Sequence, residues 1–96
     1  MSSQASDGKT RYDLLQLKLA GRQLDRLRNS HHLLIKAITE AIERLADTPR
    51  PAKAEKLAGR PEWRIRVGDY RILYLIDDRN KRITITAIGH RRDVYR

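Results

Sequence analysis

The last eight residues, GHRRDVYR, gather an imidazole, three guanidiniums and a phenol in one short stretch. The imidazole of His90 is of the side-chain type best suited to proton transfer near neutrality. Arg91 and Arg92 carry planar, permanently charged forks that match phosphate oxygens and can stabilise charge developing on a phosphate. Tyr95 can stack on a nucleobase or donate its hydroxyl proton. Upstream, EWRIRV from Glu62 and YRILYLID from Tyr70 add Arg64, Arg66 and Arg71. An arginine-rich strand face is usually a solvated surface balanced by cross-strand carboxylates. Here Glu62 is the only acid in that stretch before Asp69. The unbalanced set points to anion binding, with nucleic acid as the partner class. His31 and His32 open a helix, where exposed polar residues are ordinary, and are given no role.

Strand period decides which of these side chains share a surface. Trp63, Ile65 and Val67 point one way and Arg64 and Arg66 the other. In the next strand Tyr70, Ile72, Tyr74 and Ile76 form an apolar file, and Arg71, Leu73 and Leu75 the opposite one. Arg71 begins its strand beside the Gly68-Asp69 turn, within reach of the surface that carries Arg64 and Arg66. RITITAI from Arg82 reads as a third strand, separated from the second by the DDRNK turn from Asp77, so the three form an antiparallel meander. Ahead of them, RYDLLQL reads as a strand covered on both sides, with Tyr12 and Leu14 on one face and Leu15 and Leu17 on the other. From Lys18, the apolar stripe Ala20, Leu24, Leu27 predicts a short amphipathic helix. Ser30 is placed to cap a second helix, striped by Leu34, Ile38, Ile42 and Leu45. Pro49 and Pro51 end that helix, and a basic linker from Arg50 to Arg60 follows, whose Lys56 joins the RNA-facing set. The order strand, helix, helix, three strands indicates an α+β fold, with the helical hairpin on one face of a small sheet and the other face partly open.

Composition narrows the class. The chain has 96 residues, enough for one domain, and 21 Lys plus Arg against 12 Asp plus Glu give a net charge of +9. Residues 1–48 hold 8 basic and 6 acidic side chains and residues 49–96 hold 13 and 6, so the halves carry +2 and +7. The meander and tail therefore face a polyanion. With no cysteine and three histidines that lack ligand-like spacing, disulfides, thiolate chemistry and a zinc site are set aside, and no metal or cofactor is expected. No run approaches the ~20 apolar residues of a membrane span, so a cytoplasmic protein is expected. Residues 1–10, polar and with three serines and Gly8, read as a disordered leader, and residues 11–96 as a single domain.

The runs KLAGRPEWRIRVGDYRILYLIDD and ITAIGHRRDVYR, in this order and spacing, resemble the RelE/ParE superfamily of toxins from type II toxin–antitoxin systems, and its RelE branch more closely. The resemblance covers about residues 11–96. It implies an N-terminal strand, a helical hairpin and a twisted antiparallel sheet with a basic open face. It also implies a metal-independent endoribonuclease that cuts mRNA in the ribosomal A site, the 2′-hydroxyl attacking the adjacent phosphate to leave a 2′,3′-cyclic phosphate and a free 5′-hydroxyl. By position, Arg71 and Arg91 match arginines that hold the scissile phosphate, and Tyr95 matches a tyrosine that stacks on or protonates the substrate.

Arg64 and Arg66 fall where the best-known branch has lysines. Arginine stays charged in proteins and does not replace a lysine acting as base, which leaves His90 as the candidate base or acid, with Tyr95 its counterpart. Glu55 and Glu62 do not match, by position, the general-base glutamate of some relatives. The expected catalytic set is thus Arg71, His90, Arg91 and Tyr95, and the expected RNA-binding set Arg64, Arg66, Lys56 and Arg92. The resemblance further implies a cognate antitoxin, with the ribosome and its mRNA as targets. Two alternatives stand beside this reading. One is a non-enzymatic DNA gyrase inhibitor like the ParE branch, which generally lacks the His-Arg-Arg-x-x-Tyr ending. The other is a toxin-like module weakened by the loss of the lysines.

Overall fold

The computed structural model describes residues 11–29 and 31–94. Strand β1 (Asp13–Gln16) leads into helix α1 (Lys18–Arg28) and helix α2 (His32–Asp47), followed by β2 (Glu55–Lys56), β3 (Trp63–Val67), β4 (Tyr70–Asp77) and β5 (Arg82–His90). The five strands form one sheet in the order β1-β5-β4-β3-β2. The meander is antiparallel, whereas β1 lies parallel to β5, pairing Asp13 with Arg82 and Gln16 with Ile85, so the sheet is mixed. The expected α+β order holds. The basic linker, in which no strand was read, contributes the edge strand β2, which pairs Glu55 with Arg64 and Lys56 with Trp63.

The helical hairpin covers one face of the sheet. Ala20, Leu24 and Leu27 of α1 and Ile38, Ile42 and Leu45 of α2 pack on Ile65, Ile72, Tyr74, Ile83, Ile85 and Ile88, all buried. Burying an isoleucine or leucine side chain contributes roughly 1.5–3 kcal/mol, so this layer dominates the stability. On β1, Tyr12 and Leu14 pack against it, but Leu15 and Leu17 remain 46% and 49% exposed, so the strand is covered on one side only. The proposed cap Ser30 lies outside the described residues; the capping position of α2 is taken by His31, which makes no side-chain capping bond.

Turn chemistry closes the meander. Gly68 adopts φ 59°, the positive angle that a tight hairpin turn asks of its first central residue. In the second turn the Asp77 carboxylate accepts hydrogen bonds from the Asn80 backbone at 3.0 Å and from its side-chain amide at 2.8 Å. Next to it, Asp78 ties three segments together, accepting from the Tyr12 hydroxyl at 2.5 Å and from the Arg50 guanidinium at 2.8 and 3.3 Å. Those two donors hold its carboxyl down at about 2. Arg50 also lies over the Trp63 ring, 5.3 Å from its centroid, and the buried Tyr74 hydroxyl donates to the Pro49 carbonyl at 2.8 Å. Among the described residues no helix is long and apolar enough to cross a membrane.

One irregularity controls the end of the sheet. Leu73 pairs with Ala87 but Tyr74 pairs with Ile85, so Thr86 is an extra residue on β5. The bulge inverts the alternation. Ile83 and Ile85 face the helices before it, and Ile88 and His90 face them after it, while Ala87 and Gly89 pass to the open face.

Candidate active site

The open face is organised in rows set by strand register. One row runs Glu55, Arg64, Leu73, Ala87 across β2, β3, β4 and β5, and the next runs Arg66, Arg71, Gly89 across β3, β4 and β5. Alternation thus delivers Arg64, Arg66 and Arg71 to one surface, as expected. Arg66 and Arg71 stand directly opposite one another, a like-charge pair that opposes sheet formation unless an anion lies close.

Glu55 is that anion. Its Oε1 accepts a hydrogen bond from Arg64 Nη2 and lies 3.7 Å from Arg66 Nη2. The bond from Arg64 first, then the charges of Arg64, Arg66 and Arg71, hold its carboxyl below the usual glutamate value. It is therefore a carboxylate at neutral pH. The arginines were expected to be unbalanced, with His90 as the candidate base or acid; instead a glutamate set aside on position pairs with two of them. A two-residue strand has no period to read, and the available clue is a lone acid among Arg50, Lys53, Lys56 and Arg60.

Arg71 and Arg91 meet at the β3–β4 turn. Arg71 Nη1 donates to the carbonyls of Gly68 at 3.3 Å and Tyr70 at 3.1 Å. Arg91 donates its backbone N–H to the Asp69 carbonyl at 2.9 Å, and its guanidinium lies 4.0 Å from the Asp69 carboxylate. Beyond β5 the chain reverses, the N–H groups of Asp93 and Val94 donating to the His90 carbonyl at 2.8 and 3.0 Å. Val94 turns onto the open face and is buried with Leu73, Ala87 and the partly buried Leu57, so that face is less open than expected. Arg92 is exposed.

His90 does not join the arginines. It stands opposite Tyr70 on the helix side, its ring edge-on to the tyrosine with centroids 5.7 Å apart, and its Nδ1 accepts from the Arg92 N–H at 3.3 Å. The bulge at Thr86 is the reason, because unbroken alternation would put His90 on the arginine face. Lys56 is also turned away, on the opposite side of β2 from Glu55, with its ammonium donating to the Arg60 carbonyl. Tyr95 lies outside the described residues. Among the described residues no three His, Asp or Glu side chains come close enough to hold a metal ion.

Chemically, a carboxylate paired with two guanidiniums, with a third arginine opposite one of them in register, can take a proton from a hydroxyl beside a bound phosphate. Solved structures with the same fold include the RelBE2 toxin–antitoxin complex of Mycobacterium tuberculosis, with 26% identity over 83% of this chain and 98% of that one and a TM-score of 0.70. The archaeal RelE–RelB complex of Pyrococcus horikoshii shares 23% identity over 88% and 99%, with a TM-score of 0.73. The YoeB/ParE toxin of Agrobacterium tumefaciens shares 17% over 81% and 96%, also at 0.73. No curated protein matches the sequence. Residues 14–95 match the family model of the ParE toxin of type II toxin–antitoxin systems, and with that match spanning nearly all of the fold, the chain belongs to this toxin family.

Proposed function

We propose that this toxin is a metal-independent endoribonuclease that cuts mRNA on the ribosome. The observation that carries the reading is the pairing of the ionised Glu55 with Arg64 and Arg66, with Arg71 directly opposite Arg66 on the next strand. In this scheme the guanidiniums of Arg71 and Arg91 hold the scissile phosphate, and Arg64 and Arg66 flank it. Glu55 removes the proton of the 2′-hydroxyl, whose oxygen bonds to phosphorus as the bond to the 5′-oxygen breaks. The proton taken up by the departing 5′-oxygen is assigned to Tyr95, which follows the buried Val94. The products are a 2′,3′-cyclic phosphate and a free 5′-hydroxyl. Arg92 and Lys56 are left with the outer RNA backbone, and His90, on the far face, leaves the base role to Glu55.

Expression of wild type and Arg71→Ala in cells, with mRNA ends mapped during growth arrest, tests this. Cleavage by wild type and its loss in the variant are expected. Equal cleavage by both, or none by wild type, would sink the proposal. The match to the ParE model favours one competing reading, a gyrase inhibitor that acts by binding. DNA breakage without RNA cleavage after induction would establish that reading instead. A cognate antitoxin, as found in the complexes of M. tuberculosis and P. horikoshii, fits the charge of +9 if its docking segment is acidic. Complex formation that no Arg-to-Glu change on the open face weakens would count against that docking mode.

A further inference from the structure

The open face holds two kinds of surface side by side, and the apolar one is isolated from the main core. Leu73, Ala87 and Val94 are 1%, 7% and 5% exposed and, with Leu57, form a cluster separate from the layer under the helices. These side chains stabilise the fold as any buried apolar group does, but their place, on the sheet face away from the helices and between two segments of the site, gives them a second consequence.

That placement is specific. Leu57 follows the strand that carries Glu55 and lies on the same face of it, its own N–H donating to the Glu62 carbonyl at 3.0 Å. Val94 ends the turn that carries Arg91 and immediately precedes Tyr95. Leu73 sits in the row between Arg64 and Ala87, one step along β4 from the Arg71 row. The tail lies close over Gly89, opposite Arg71: a Cβ there would be in ordinary van der Waals contact, 3.5 Å, with both Cα and Cβ of Val94. The segment bearing the carboxylate and the segment bearing the tail thus meet in this cluster, built on Leu73.

We infer that Leu57 and Val94 are positioning residues, a hydrophobic clasp that fixes the Glu55 strand and the C-terminal turn relative to one another and to Arg71. The inference rests on the proposed site for its catalytic consequence, but the coupling it describes is a property of the fold. β2 is two residues long and exposed, too short to hold its own register without such an anchor. Truncating either side chain loosens both segments, because both belong to the one cluster built on Leu73.

Amide hydrogen exchange on the full chain tests the coupling without reference to catalysis, using Val94→Ala, Leu57→Ala and the double variant. Val94→Ala is expected to speed exchange at Glu55 to Leu57 as well as at residues 91–94, while β5 and both helices keep their protection. RNA cleavage is expected to lose about 10-fold to 100-fold in kcat with KM little changed, since a misplaced group costs rate rather than binding. The double variant is expected to lose no more than the worse single one, and Val94→Ile to restore most of the loss. Faster exchange confined to the substituted segment, or additive losses in the double variant, overturns the clasp. So does loss of protection in the helices, which would make the cluster part of the general core. A wild type that cuts no RNA defeats the reading of the site, while the exchange result still decides the clasp.

Discussion

Replacing Glu55 by glutamine keeps the side chain's shape and removes its charge, which separates two roles that the geometry gives it. Arg64, Arg66, Arg71 and Glu55 together carry +2, and Glu55→Gln raises this to +3. On single-stranded RNA each neutralised phosphate steepens the slope of log affinity against log salt by about 0.7, so these four groups should move from about −1.4 to about −2.1. Fluorescence anisotropy with an RNA carrying a 2′-deoxy nucleotide at the cut, over roughly 50 to 200 mM salt, reads that slope without turnover. Loss of a general base should at the same time slow single-turnover cleavage by about 10² to 10⁴. The variant is therefore expected to bind more tightly at low salt and cut far more slowly. A variant that binds more tightly and cuts as fast as wild type reduces Glu55 to a counterion and refutes the base assignment. The pH dependence adds a second reading. Because the folded pKa is depressed below its ordinary 4.5, Glu55 stays ionised as pH falls through that value, and the acid limb of wild-type cleavage should lie lower still. An acid limb near 6.5 would return the base to a histidine.

Two further substitutions probe the frame. The Asp78 carboxyl is held at about 2, so its contribution to stability is complete above the ordinary 3.8 and is lost as pH falls from there through about 2. Asp78→Asn should lower the urea midpoint at neutral pH and flatten its fall between those two values; an unchanged acid limb would show that Tyr12 and Arg50 gain nothing from the charge. Tyr74→Phe deletes the 2.8 Å bond to the Pro49 carbonyl, a loss of about 0.5–1.5 kcal/mol. For a domain of this size each kcal/mol lowers Tm by about 4–8 °C, and a Tm equal to wild type would mean that water replaces the hydroxyl.

What could be read in advance follows the physics of each element. Trp63, Ile65 and Val67 against Arg64 and Arg66 form a legible pattern because β3 buries one face against the helices and leaves the other to solvent. The stripes of α1 and α2 are legible for the same reason. His90 was grouped with the arginines for its chemistry and its place in the tail, not for a strand face; β5 runs on through it, and the bulge at Thr86, which no glycine marks, turns it to the other side. Glu55 was passed over because a two-residue strand shows no period, and its significance comes from Arg64, nine residues away in sequence but opposite in register. The covered second face predicted for β1 failed at Leu15 and Leu17, since leucine spacing reports what a strand offers and not what lies across from it.

The parallel pairing of β1 with β5 has a consequence for synthesis. The first described strand, Asp13–Gln16, must wait for Arg82–Ile85, 69 residues further along the chain, before it has a neighbour. Contacts so distant along the chain form late, after the loop between them has been closed. The tail that buries Val94 over Gly89 arrives later still. A chain that stops short of these residues therefore has neither a finished sheet edge nor a fastened tail, so the arginine face comes together only after β5 and the turn beyond it have been made.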